Sequence, residues 1–166
     1  MSLGWFAFAV LLPLWALGGL GDYLCHRAAR NSATSVGVRE SLLHLLQWTQ
    51  IVLPVLLVLG FGLRPWTLAA GAACVLAHSL TAWWDERCAR PGRYISIAEN
   101  HCHAFLISLP VVAWALALWL YADAGSAAPA APGWAVAVVV LVFLVSGGFV
   151  LEELLRCLRE RRTRAA

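Results

Sequence analysis

Charge is what this chain has least of. Only 13% of its 166 residues are Asp, Glu, Lys or Arg, and 61% are hydrophobic, with mean hydropathy +0.76. An ordinary soluble domain is about 25% charged. Polar residues are therefore too few to clothe a soluble globule of this length, and the chain falls in the membrane class. Lysine is missing altogether, so all 12 basic residues are arginine. No C-x-x-C pair occurs among Cys25, Cys74, Cys88, Cys102 and Cys157, which argues against a structural zinc cluster. Reduced, cytoplasm-facing thiols are expected instead. Cys25 and Cys102 adjoin histidines, so a thiolate ligand stays open at those two positions.

What the chain does have is apolar runs. Five approach the roughly 20 residues that a bilayer span requires: 3–20, 42–63, 65–84, 104–121 and 134–151. They predict an all-α, polytopic transmembrane bundle, one domain over 1–166 that ends in a basic tail, 152–166. The Ala/Pro/Gly/Ser-rich stretch from Asp123 to Gly133 reads as an exposed loop. The short Gly62-Leu63-Arg64-Pro65 connection makes spans two and three antiparallel neighbours.

Arginine sets the expected orientation. Arg27, Arg30 and Arg39 lie between spans one and two, and Arg87, Arg90 and Arg93 between spans three and four. Arg156, Arg159, Arg161, Arg162 and Arg164 follow span five, whereas the other side carries only Arg64. With positive loops inside, the N-terminus is outside and the C-terminus cytoplasmic, as in a multi-pass protein of a bacterial inner membrane. The first span has no positive charge before it, so it reads as a retained anchor rather than a cleaved signal.

All five histidines fall near one end of these spans, and three follow an acid by one turn: Asp22 and His26, Glu40 and His44, Glu99 and His103. An i,i+4 pair shares a helix face with Cβ atoms about 5–6 Å apart. His78 precedes Asp85 by two turns, and His101 completes the set. Under the expected topology these groups converge at the cytoplasmic ends of spans one to four, where bundle cores build ligand sites. Span five brings only Glu152 and Glu153 at its exit and is expected to pack outside the site.

A rise of about 1.5 Å per residue sorts the groups by depth. Asp22, His44, His78 and His103 form an inner layer, and His26, Glu40, Asp85 and Glu99 an outer one. Gln47 extends the second span's stripe inward. His78 and Asp85 would stand about 10 Å apart along the axis, too far to ligate one ion together. Two layers of imidazole and carboxylate suit two metal ions, or one with a hydrogen-bonded surround. Iron is favoured, as one or two ions, with zinc second; manganese also accepts such donors.

Each residue alone has a plainer explanation. Glu99 completes a Ser96-x-x-Glu99 capping box, Asp85 can pair with Arg87, and His101 can face water. The tail arginines suit topology and anionic lipid. Arg27, Arg39 and Arg93 lie beside the expected site and can hold a phosphate headgroup. His78 is hardest to explain away, because buried ionisable groups inside a span are usually functional and partnered.

The stretches Asp22-Tyr23-Leu24-Cys25-His26-Arg27, Glu40-Ser41-Leu42-Leu43-His44, Ala77-His78, Trp84-Asp85 and Glu99-Asn100-His101-Cys102-His103 resemble a family of small bacterial integral membrane proteins. The resemblance covers residues 20 to 105 and implies no particular activity. A looser architectural likeness is to the membrane di-iron fatty acid hydroxylases and desaturases, which also gather histidines at the cytoplasmic ends of spans. This chain departs from them in lacking an H-x-x-H-H box, so carboxylates would replace imidazoles and no catalytic residue carries over. The chain is also similar in outline to intramembrane zinc amidases of the ceramidase type, which use His, Asp and Ser; Ser41 beside Glu40 and His44 fits that outline.

The leading expectation is an inner-membrane metalloprotein that oxidises a membrane lipid or another hydrophobic substrate. Its preferred ligands are His44, His78, His101 and His103, then Glu40, Asp85, Glu99, His26 and Asp22. Electrons would come from a separate donor, since no flavin or nicotinamide fingerprint is present, and no nucleic-acid partner is expected. An intramembrane zinc hydrolase is the runner-up. Metal or proton handling without catalysis, and a structural subunit with ion-paired helix ends, are the non-enzymatic alternatives.

Overall fold

A computed structural model describes residues 3–124 and 131–165. Residues 125–130 of the expected loop, and Met1, Ser2 and Ala166, lie outside the described residues. Five long rods account for most of the chain. The first, α1, joins Leu3–Phe6, a π-helical turn Ala7–Leu11 and Leu12–Ala28. The π turn falls just before Pro13, whose ring would clash with the carbonyl four residues back in a regular helix. Then come α2, Gly37–Phe61; α3, Pro65–Ala89; α4, Ile97–Ala124; and α5, Gly133–Ala165. A 3-10 turn, Asn31–Ala33, lies between α1 and α2.

The helices close into a ring in the order α1, α5, α2, α3, α4, each packing on two neighbours. The Gly62 turn between α2 and α3 is as tight as the sequence requires, with Gly62 at φ 76°, where a side chain would be strained. The arrangement is inside out relative to a soluble protein. Large apolar side chains such as Leu76, Leu80, Leu141 and Leu144 are exposed, whereas the fully buried side chains include His26, Glu40, Glu99 and Asn31. Apolar surface facing lipid costs nothing; polar groups must be satisfied within the ring.

Four stretches are long and apolar enough to cross a membrane: Ala7–Ala28, Gly37–Phe61, Ile97–Ala124 and Gly133–Ala165. The protein is thus a multi-pass membrane protein. The third expected span forms a helix of the same 25-residue length as α2, yet it is not among those four. His78, Ser79 and Thr81 dilute its apolar run, and its place between α2 and α4 supplies the packing that lipid would not. The basic tail also differs from expectation, because α5 continues through it to Ala165.

Span five does not pack outside the site: α5 stands in the ring between α1 and α2. With the fifth helix in place, the ring encloses one shared axis, and the histidine-bearing ends of α1 to α4 meet the Glu153 turn of α5 there.

The approach to α2 is held by a close contact. Arg30 adopts a left-handed φ of 49°, turning Asn31 inward, and a Cβ on Gly37 would lie 2.5 Å from the Asn31 carbonyl oxygen. Gly37→Ala should therefore lower stability by about 1–3 kcal/mol. Gly60→Ala, which meets nothing within 4 Å, should be neutral or slightly stabilising. Thermal unfolding of both variants in detergent checks the contrast.

Candidate metal centre

His26 lies at the middle of the cluster and is 0% exposed. Its Nδ1 is 2.7 Å from Glu153 Oε1, and its Nε2 is 3.0 Å from Glu99 Oε1 and 3.7 Å from Asp22 Oδ1. The His44 ring is tilted beside it, with centroids 4.7 Å apart. Glu153 Oε2 lies 3.0 Å from His44 Nδ1, and Asp85 Oδ2 lies 3.0 Å from His44 Nε2. His103 Nε2 approaches Asp22 Oδ1 at 3.0 Å and Glu99 Oε1 at 4.0 Å. Gln47 Nε2 donates to Asp85 Oδ2 at 3.2 Å, and Asn31 Nδ2 donates to Glu153 Oε1 at 3.0 Å.

One arginine enters this group. Arg93, from the loop between α3 and α4, donates through Nε to Glu40 Oε1 at 3.0 Å and through Nη1 to Glu99 Oε2 at 3.0 Å. Its Nη2 contacts Glu99 Oε1 as well and lies 2.9 Å from His26 Nε2. Burial opposes the Arg93 charge, but Glu99 and Glu40 outweigh it and hold its pKa above the ordinary arginine value.

The charges do not balance on their own. Asp22, Glu40, Asp85, Glu99 and Glu153 are all buried, and Arg93 is the one guanidinium that the described residues place among them. With neutral imidazoles, four negative charges remain over in a low-dielectric interior. Protonating His26, His44 and His103 would leave one; two divalent cations would offset all four. Uncompensated buried charge costs several kcal/mol per ion, so protons on the imidazoles or carboxylates, or bound cations, must offset it.

Two donor groups have the spacing a metal ion needs: Asp22, His26, Glu99 and His103, and separately His26, His44 and Glu153. Within each group the ligand atoms lie within 4.8 Å of one another, and His26 belongs to both. Imidazole and carboxylate donors of this kind suit iron, manganese or zinc.

The remaining expected residues fall elsewhere. Glu40 is bound to Arg93, so its i,i+4 partner His44 turns instead to Glu153 and Asp85. Asp85 pairs with His44 rather than Arg87, which stacks over the Trp83 ring at 4.9 Å. His78 is buried and donates from Nε2 to the Leu106 carbonyl at 3.2 Å, while its Nδ1 has no hydrogen-bond partner among the described residues. It belongs to neither donor group but borders a cavity of about 450 Å³ whose polar end is formed by Asp22, His44, His78, Asp85, His103 and Glu153.

His101, one of the four preferred ligands, is exposed and contacts only its own helix at the Ile97 carbonyl, 2.7 Å away. The physical reason is phase: His103 and Glu99 share the inward face of α4, and a residue two positions from His103 points away from it. Ser41 is buried and donates to the Gly37 carbonyl at 2.8 Å, with Cys157 Sγ at 3.3 Å, so it faces α5 instead of the cavity. Cys25 and Cys102 are free thiols outside both donor groups. Of the arginines beside the site, Arg93 is committed to acids, Arg27 donates to the Tyr23 hydroxyl at 2.8 Å, and Arg39 lies over Trp84.

Glu153 and Asn31 are the residues that sequence reasoning passed over. A signal for Glu153 was present: it lies one heptad after Ser146 and one turn before Cys157, on the face that α5 turns to α2. Asn31 carried no such signal, because nothing in a loop sequence announces a buried amide.

Removing Arg93 should strip the cluster of its fixed cation. Arg93→Ala is expected to cost about 3–5 kcal/mol in thermal or denaturant unfolding. His101→Ala should change neither stability nor metal content, and a large loss there would contradict its placement.

No family model, curated protein or solved structure matches the chain, so the reading of the site rests on its own geometry.

Proposed function

We propose that the protein is a bacterial inner-membrane metalloprotein that holds one or two divalent transition-metal ions and acts on a hydrophobic substrate drawn from the membrane. The observation that carries this reading is His26, buried between two donor groups with a carboxylate at each ring nitrogen. The surplus of buried carboxylate over guanidinium supports it, since divalent cations would balance the charge. Asp22, Glu99 and His103 would hold an ion together with His26 Nε2, or His44 and Glu153 one together with its Nδ1; a neutral imidazole ligates through one nitrogen, so filling both at once would require His26 to lose its remaining ring proton. Asn31 and Gln47 orient the carboxylates of Glu153 and Asp85, as outer partners of metal ligands commonly do.

Iron is the favoured metal, because mixed His/carboxylate sites with open positions suit oxygen-dependent chemistry. Iron bound there would supply oxidation, a hydroxylation or desaturation of a lipid-like substrate, with electrons from a separate donor. Zinc is second and would activate water for hydrolysis, with a carboxylate as base. The apolar lining of the cavity adjoining the cluster supports a hydrophobic substrate. A relay or structural ion-pair network is the second reading, and Arg93 favours it: its Nη2, 2.9 Å from His26 Nε2, stands where an ion on that side would compete with it.

Elemental analysis of detergent-purified protein separates these readings. One to two equivalents of metal are expected, iron indicating oxidation and zinc hydrolysis. Because both donor groups share His26, His26→Ala should remove most of the metal, while His101→Ala retains it. Metal-free protein with an intact fold would leave the proton-balanced network. The arginine distribution also supports an N-terminus outside and a cytoplasmic C-terminus. A reporter fused after Ala166 should be active on the cytoplasmic side; a periplasmic signal would reverse the orientation.

A further inference from the structure

The cavity beside the cluster has a polar end, an apolar body and a side opening. Its volume of about 450 Å³ falls within the range of pockets that hold small organic ligands. The body is formed by Trp15, Trp48, Ile51, Leu106, Ile107 and Phe149. Three further lining residues are themselves exposed on the lipid-facing surface: Leu17 at 63%, Leu141 at 60% and Val145 at 51%. Leu17 is on α1 and the other two on α5, neighbours in the ring, so the cavity opens sideways through the α1–α5 seam toward the hydrocarbon layer.

Its unpartnered polar atoms define what fits. Asp22 Oδ1, Asp85 Oδ1 and His78 Nδ1 are buried without a hydrogen-bond partner among the described residues. His103 Nε2 nevertheless pairs with Asp22 Oδ1 at 3.0 Å, which leaves Asp85 Oδ1 as the carboxylate oxygen that nothing holds. The His78 ring donates from Nε2 to the Leu106 carbonyl, and the Gln47 backbone is also within its hydrogen-bonding reach. The polar end thus presents one free carboxylate oxygen, Asp85 Oδ1, while the unpartnered donor, Trp15 Nε1, lies in the apolar body. An occupant must therefore donate hydrogen bonds. It also faces acid: Asp22, Asp85 and Glu153 line the polar end, and Arg93 is bound to Glu40 and Glu99. An anionic head would enter without a countercharge.

We propose that this cavity binds a single-chain lipid amphiphile, entering between α1 and α5, whose head is an uncharged or cationic hydrogen-bond donor, an alcohol or amine rather than a carboxylate. The proposal rests on the metalloprotein reading for its substrate role and names the substrate class. The chain would lie along Trp15, Leu106 and Ile107, with the head at Asp85. The head would thus reach the same end as His44 and His103.

Photolabelling in detergent micelles tests it, using a long-chain alkyl alcohol that carries a diazirine in its tail. Label should concentrate on peptides bearing Trp15 and Leu106–Ile107. Unlabelled alkyl alcohol and alkylamine should compete at least tenfold better than the fatty acid of equal length at neutral pH. Ile107→Trp, filling the body, and Val145→Trp, crowding the opening, should each cut cavity labelling at least tenfold. Labelling that is indifferent to both variants and spread over lipid-facing positions such as Leu76 and Leu80 would overturn the proposal, as would equal competition by the fatty acid. Metal content is measured on the same samples. Loss of label with metal retained marks failure of the cavity proposal alone; label retained on metal-free protein marks failure of the metalloprotein reading alone.

Discussion

Burying acids in a membrane bundle is the constraint on which the rest of this structure depends. Five carboxylates, Asp22, Glu40, Asp85, Glu99 and Glu153, are buried where the helix ends meet. Each would be costly alone, and together they repel one another. The ring order follows from that requirement as much as from apolar packing. Lipid offers helices little reason to associate, so polar contacts across helices carry a larger share of specificity than in water. The contacts of His26 with α4 and α5, and of His44 with α3 and α5, tie all five helices at one end.

Arg93 has a distinct part in this arrangement. It reaches from a loop into the cluster and binds Glu40 and Glu99 in one fork, a geometry that lysine could not reproduce. A lysine-free chain that places one of its arginines here has used the cation that keeps its charge under burial. Glu40 is thereby bound to Arg93 and Glu99 is shared between Arg93 and His26, while Asp22, Asp85 and Glu153 pair with His103, His44 and His26. The site is thus polarised, with a fixed cation toward the loop and the open cavity on the other side.

Much of this was legible in the sequence. Composition alone dictated a helical membrane bundle, and the acid–histidine spacing, with the arginine distribution, brought Asp22, His26, His44, Asp85, Glu99 and His103 to one end. What the sequence could not supply was phase between helices. The i,i+4 rule identifies residues on one face without saying which helix that face meets, so it could not show that Glu40 turns to Arg93 while His44 turns to Asp85 and Glu153. His101 shared the motif with His103 but not its face. Glu153 was read as an exit residue because its helix carries no histidine. Only the closed ring shows that α5 stands between α1 and α2. The third expected span differs in another way: its helix forms, but His78, Ser79 and Thr81 leave it outside the stretches apolar enough to cross a membrane.

The closure of the ring by its first and last helices bears on how the protein is made. His26 and Glu153 are 127 positions apart, and their contact joins α1 to α5. A chain inserted from its N-terminus therefore commits Asp22 and His26 to the membrane long before Glu153 is synthesised. Until α5 arrives, the His26 and His44 rings lack the carboxylate that joins them, and the seam that becomes the cavity's side opening has no second wall. The buried end of the bundle is therefore completed only by the last helix of the chain.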